Sequence, residues 1–109
     1  DTLISSLVEN EIIRRENLAI TIYNTTGADQ VAAKFARYVS NIGGKVISIE
    51  NSREQVATCR FEVNRQQSNT RIVGYLKQRL NCKGLFLDQT KGVDVAVYVG
   101  EYWARRLGN

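Results

Sequence analysis

Catalysis in a protein begins with side chains that titrate, ligate or attack, and this sequence is short of them. It contains no histidine, so the usual general base, the imidazole that activates a nucleophile and the commonest metal ligand are all missing. The carboxylates Glu50, Glu54, Glu62, Asp88, Asp94 and Glu101 fall in different segments, and their spacing nominates no pair of the kind that cleaves a glycosidic bond. Two cysteines, Cys59 and Cys82, without histidine do not make a zinc set. The stretch Asn24-Thr25-Thr26-Gly27-Ala28-Asp29 joins a strand to a helix N-terminus, where free amides can hold an anion. With one glycine and no lysine it lacks the pattern of a phosphate loop, and Thr25, Thr26 or Asp29 is expected simply to cap the helix. No catalytic group, metal or cofactor is expected, and the chain is read as a non-enzyme.

The elements that would carry any site follow from hydrophobic spacing. Residues 2–15 repeat Leu3, Ile4, Leu7, Val8 and Glu11 or Ile12 at intervals of three and four, an amphipathic helix with Asp1 as its cap or the ordered end of a linker. From Leu18 the period becomes two, with Ile20 and Ile22 opposed to Thr21 and Tyr23. Helical spacing returns with Val31, Ala32, Phe35, Ala36, Val39 and Ile42, and Gly43 and Gly44 are expected to end that helix with positive φ angles. Lys45–Glu50 and Thr58–Val63 read as strands, and Ile72, Val73, Leu76 and Leu80 as the buried stripe of another helix. Leu85–Leu87 is a short apolar run suited to an additional strand, Lys91-Gly92 a turn, and Val93, Val95, Val97 and Val99 the last strand; a further helix caps either end of the unit.

The predicted fold class is therefore α+β: a two-layer βαββαβ arrangement, ferredoxin-like or related, with the helices packed on one face of a single sheet and an extra N-terminal helix. A chain of 109 residues buries about two thirds of its unfolded surface and supports one core. Residues 1–16 are accordingly taken as the N-terminal helix or linker end and 17–109 as a single domain. The 15 basic residues exceed the 11 acidic ones by a dispersed +4, less than a nucleic-acid module concentrates on one face. No stretch approaches the length of a membrane span. The start at Asp1 suggests an excised piece of a longer protein, with any anchor outside it.

If the second core helix runs back antiparallel to the strand before it, Cys82 returns to the neighbourhood of Cys59. A disulfide is then geometrically natural, stabilising by roughly 3 kcal/mol for a loop of this size and placing the protein in an oxidising compartment; the alternative is two buried free thiols. Strand alternation also divides the sheet. With Ile20, Ile22, Phe61, Val95 and Val97 toward the helices, Thr21, Tyr23, Arg60, Glu62, Ala96 and Tyr98 point the other way. Aromatic rings beside an arginine can stack on sugars or bases and bond hydroxyls, so Thr21, Tyr23, Arg60, Glu62 and Tyr98 form the candidate binding face.

Two segments, AITIYNTTGADQVAAKFARYVSNIGGKVISIE and VDVAVYVGEYW, together resemble the LytR C-terminal domain, an accessory module of LytR-CpsA-Psr envelope proteins. Asn24-Thr25-Thr26-Gly27 and Gly44 stand where that family has its turn and helix end, and Gly100-Glu101-Tyr102 stands where it closes in Gly-Asp-Tyr; the likeness spans roughly residues 18–103. Thr25-Thr26 and Glu101 depart from the family pattern. The resemblance implies a non-catalytic, extracytoplasmic module of a bacterial cell envelope, within a membrane-anchored parent, binding cell-wall glycan or an envelope protein. No nucleic acid is expected, and membrane attachment only through a segment outside this chain. Two other classes remain open: a small RNA-binding domain with a stacking sheet face, and a purely structural module that forms a homodimer through its N-terminal helix.

Overall fold

In this computed structural model, which describes residues 2–90 and 92–108 and side chains from Val8 onward, helices and strands alternate around one sheet. The order is α1 (Thr2–Glu16), β1 (Ala19–Asn24), α2 (Asp29–Asn41), β2 (Lys45–Asn51), β3 (Cys59–Asn64), α3 (Arg71–Gln78), β4 (Lys83–Leu87), β5 (Val95–Val99) and α4 (Glu101–Leu107). The sheet runs β2-β1-β5-β3-β4. Strand β1 is parallel to both β2 and β5, β3 is parallel to β4, and β3 meets β5 antiparallel. Parallel neighbours require a crossover, which α2 supplies between β1 and β2 and α3 between β3 and β4. The run at Leu85–Leu87 is thus a full edge strand, and β5 returns to the middle of the sheet between two unsplit βαβ units. The α+β, two-layer arrangement expected from the sequence is the one that forms.

One hydrophobic cluster holds the layers together. Ile20, Ile22, Cys59, Phe61, Val63, Val95, Val97 and Val99 from the sheet meet Ile13 of α1, Phe35 and Val39 of α2, and Ile72 and Leu76 of α3, with Trp103 of α4 against it. Phe35 and Trp103 touch edge-to-face at 5.4 Å, a geometry that adds to their burial. Of the two glycines after α2, only Gly43 has a positive φ, 104°. Gly44 serves close packing instead: a Cβ there would lie 2.6 Å from Val39 Cγ1. Two other expectations are corrected. None of Thr25, Thr26 and Asp29 caps α2; Ala28 is its N-cap with no side-chain cap bond, because the Thr26 hydroxyl is turned back to accept from the Ala28 amide at 3.2 Å. The last strand begins at Val95 and not Val93. Asp94 folds onto the start of β1 there, its carboxylate accepting from the Ala19 amide at 2.8 Å. Asp1, the expected cap of α1, and Lys91 of the expected turn lie outside the described residues, as do the side chains of Leu3, Ile4 and Leu7.

Helix α1 is tied to the rest by its last residue. Thr70, the N-cap of α3, makes no side-chain cap bond; the Glu16 carboxylate does that work, accepting from Arg71 N at 2.5 Å and from Ile72 N at 3.1 Å. Free amides and the positive helix end both favour a carboxylate there. Cys59 at the start of β3 and Cys82 just beyond α3 form a disulfide with a Cα–Cα distance of 4.4 Å, as the antiparallel return of α3 suggested. The free-thiol alternative does not apply.

Candidate functional site

The face of the sheet opposite the helices is organised by register. Tyr23 pairs with Tyr98 across β1 and β5, and Tyr98 pairs with Arg60 across β5 and β3. Side chains directly opposite on one face lie within contact distance, and these three form a continuous stack. The Tyr23 and Tyr98 rings are 4.7 Å apart and 12° from parallel; on the other side of Tyr98 the Arg60 guanidinium sits 4.3 Å from the ring centre. The same guanidinium bonds Glu54 at 2.6 Å and Glu62 at 3.1 Å. Its buried Nε meets no acceptor among the described residues.

This packing sets the electrostatics. Burial works against the charge on Arg60, but the hydrogen bond and charge of Glu54, followed by the charges of Glu62 and Tyr98, outweigh it and hold the guanidinium above its ordinary range. Burial raises Tyr98 above the usual phenol range, Glu62, Glu54 and Tyr23 push it further, and Arg60 opposes them. Both groups therefore keep their neutral-pH protonation states firmly: a phenol that donates and a cation already neutralised by two carboxylates.

All five expected face residues are brought to one surface, but not all stand free. Tyr98 is only 5% exposed because both of its ring faces are occupied. Thr21 is buried, its hydroxyl 2.9 Å from that of Ser48. Arg60 and Glu62 are half-buried in their ion pair. The accessible aromatic surface belongs to Tyr23, whose neighbour on β2 is the exposed Glu50. Ser48, Glu50 and Glu54 join the site without having been singled out for it. The first two arrive because β2 lies parallel beside β1 with a bulge after Ile20's partner, and Glu54 because its loop folds over β3; spacing along the chain signals none of these. On the helix side, Lys34, Arg37, Tyr38, Asn41 and Leu107 line a cleft of about 230 Å³. Among the described residues no cluster of histidine, cysteine and carboxylate side chains is suited to a metal ion.

With this geometry in view, the comparisons with known proteins bear on the fold. No family model matches the sequence, and no curated protein does. The structure is similar to the solution structure of the C-terminal domain of RV0431, with a TM-score of 0.55, 18% identity, and coverage of 78% of this chain and 73% of that one. At that identity the likeness is one of fold. The disulfide fits an oxidising compartment, and among the described residues no helix is long and apolar enough to cross a membrane.

Proposed function

We propose that this chain is a non-catalytic, extracytoplasmic module of a bacterial cell envelope that binds cell-wall glycan through the sheet face centred on Tyr23. The observation carrying this reading is the stack of Tyr23, Tyr98 and Arg60, which ends in one half-exposed ring with carboxylates beside it. A sugar ring can lay its apolar face on an aromatic ring. Hydroxyls rimming it find acceptors in Glu50, the direct partner of Tyr23 across β1 and β2, and in Glu62, one row from Tyr98. The envelope address is supported by the LytR C-terminal resemblance, by a fold related to that of the RV0431 domain, and by the disulfide. An RNA ligand is disfavoured by charge: Lys45, Arg60 and Lys83 on and beside this face are matched by Glu50, Glu54 and Glu62, whereas phosphate binding needs a basic excess.

Retention on purified peptidoglycan sacculi tests the proposal. Wild type should be retained, Tyr23→Ala several-fold less, and Tyr23→Phe nearly as well as wild type. Tyr98 is a poor probe, being packed on both faces. Equal retention of wild type and Tyr23→Ala, or retention of neither, would refute binding at this face.

A further inference from the structure

We infer that β2 is a self-complementary edge through which two copies of this chain pair antiparallel, forming one continuous sheet. Strand β2 ends the sheet beyond β1, and its outward backbone groups meet no side chain among the described residues. Ile47 and Ile49 on it are 51% and 48% exposed, a large apolar exposure for an unpartnered edge. At the opposite end of the sheet, Arg65 donates to the Phe86 carbonyl of β4 at 3.2 Å while pairing with Asp88.

The pattern of β2 names a second copy as the occupant. Lys45 pairs with Ala19, Val46 with Ile20, Ser48 with Thr21, Ile49 with Ile22 and Glu50 with Tyr23, Ile47 being the extra residue of a bulge. In a regular strand Lys45 and Glu50, five positions apart, would face opposite sides. The inserted residue puts both on the Tyr23 side, and puts Val46 and Ile49 both on the helix side. An antiparallel pairing about a two-fold axis between Ile47 and Ser48 then sets Lys45 against Glu50 of the second copy, twice, and Val46 against Ile49 of the second copy, twice. Opposite charges then meet opposite charges on the Tyr23 side and apolar side chains meet apolar ones on the helix side, flanking a central contact of each Ile47 with Ser48 of the second copy. Because the axis is normal to the sheet, both Tyr23 stacks lie on the same side, so one polymer would meet two platforms and gain by avidity. The contact rests on an edge strand and belongs to the weak, concentration-dependent class.

Sedimentation velocity on the whole chain, from micromolar up to about 1 mM, reads the equilibrium, with circular dichroism confirming that each variant folds. Wild type should show a concentration-dependent dimer. Lys45→Glu and Glu50→Lys, both at exposed positions, should each raise the dissociation constant about tenfold by setting like charges opposite one another. The double variant Lys45→Glu with Glu50→Lys should restore it. A monomer throughout, a dimer that neither single reversal weakens, or a double variant that stays as weak as the singles would each overturn the inference. None of these readouts involves glycan, so they stand or fall apart from the sacculus experiment.

Discussion

Replacing Glu16 with alanine tests whether α1 belongs to the folded unit as the structure has it. The carboxylate holds two amides at the start of α3, Arg71 N at 2.5 Å and Ile72 N at 3.1 Å. The two amides differ in what replaces it. Arg71 is exposed, so water takes over much of that bond, whereas Ile72 is only 1% exposed. Losing a cap costs about 1 kcal/mol, and leaving a buried donor unpaired adds about another 1 kcal/mol at the low end of its range. Glu16→Ala should therefore destabilise the domain by about 2 kcal/mol, and Glu16→Gln, which keeps an acceptor but not the charge, by about half as much. At roughly 4 °C per kcal/mol for a domain of this size, thermal unfolding followed by circular dichroism should fall by about 8 °C for the alanine variant. Hydrogen exchange localises the effect: the Arg71 and Ile72 amides should lose protection before the strands do. Arg14 and Arg15, exposed on α1, should become faster trypsin sites as the helix loses its latch. A loss below about 0.5 kcal/mol, or unchanged protection at those two amides, would refute the capping role.

Two more predictions follow from the same structure. Replacing Cys59 and Cys82 together with alanine should lower stability by about 3 kcal/mol, since the bridge closes a loop over a sequence separation of 23; a shift of the urea midpoint equivalent to less than 1 kcal/mol would contradict it. In alkaline ultraviolet difference titration Tyr98, like the half-buried Tyr75, should ionise above the ordinary phenol value of about 10, and Tyr98→Phe should remove one of these two late phenols. Because burial, Glu62 and Glu54 raise Tyr98 in the folded state, the folded chain holds the phenolic proton more tightly. Its contribution to stability is complete below the unfolded value and lost as pH climbs through the folded one. Glu62→Gln should move the Tyr98 step back down, and an unmoved step would show that the stack is not formed as described.

How much of this was legible in the sequence depends on whether a feature is local. The stripe Val31, Ala32, Phe35, Ala36 and Val39 and the alternation Cys59, Phe61 and Val63 encode their own burial, and the helix and strand there needed nothing further. The division of the sheet into two faces followed from the same alternation, and with it the meeting of Tyr23, Arg60 and Tyr98. What alternation cannot supply is the neighbour on each side. The place of β5 in the middle, the parallel β2 with its bulge, and the return of the Glu54 loop are tertiary facts, and they decide that Tyr98 is covered while Tyr23 is not. The central strand did leave a trace: Val95–Val99 is buried at every position, its valines under the helices and Ala96 and Tyr98 among side chains of the flanking strands, and the nearly unbroken apolar run AVYV suits such a place. Capping failed for a comparable reason. Thr26 has the right chemistry for a helix start, but Asn24 accepts from both its amide and its hydroxyl, at 2.9 and 2.7 Å, and holds the turn one step short of it.

The covering of Tyr98 changes what the face can do more than it diminishes it. A lone tyrosine on a strand must be ordered when a ligand lands on it, at a cost of about 0.5–1.5 kcal/mol for each immobilised side chain. Here the order is present beforehand: Tyr23 is held by Tyr98, Tyr98 by Arg60, and Arg60 by two carboxylates from different parts of the chain. Residues beneath the surface therefore act on the exposed ring without touching what it touches. Arg60→Met keeps much of the bulk over Tyr98 but releases Glu54 and Glu62, so it reaches Tyr23 through the stack. If the platform works by preorganisation, that substitution weakens sacculus retention while leaving the Tyr23 ring in place. If only the Tyr23 ring matters, retention stays at the wild-type level.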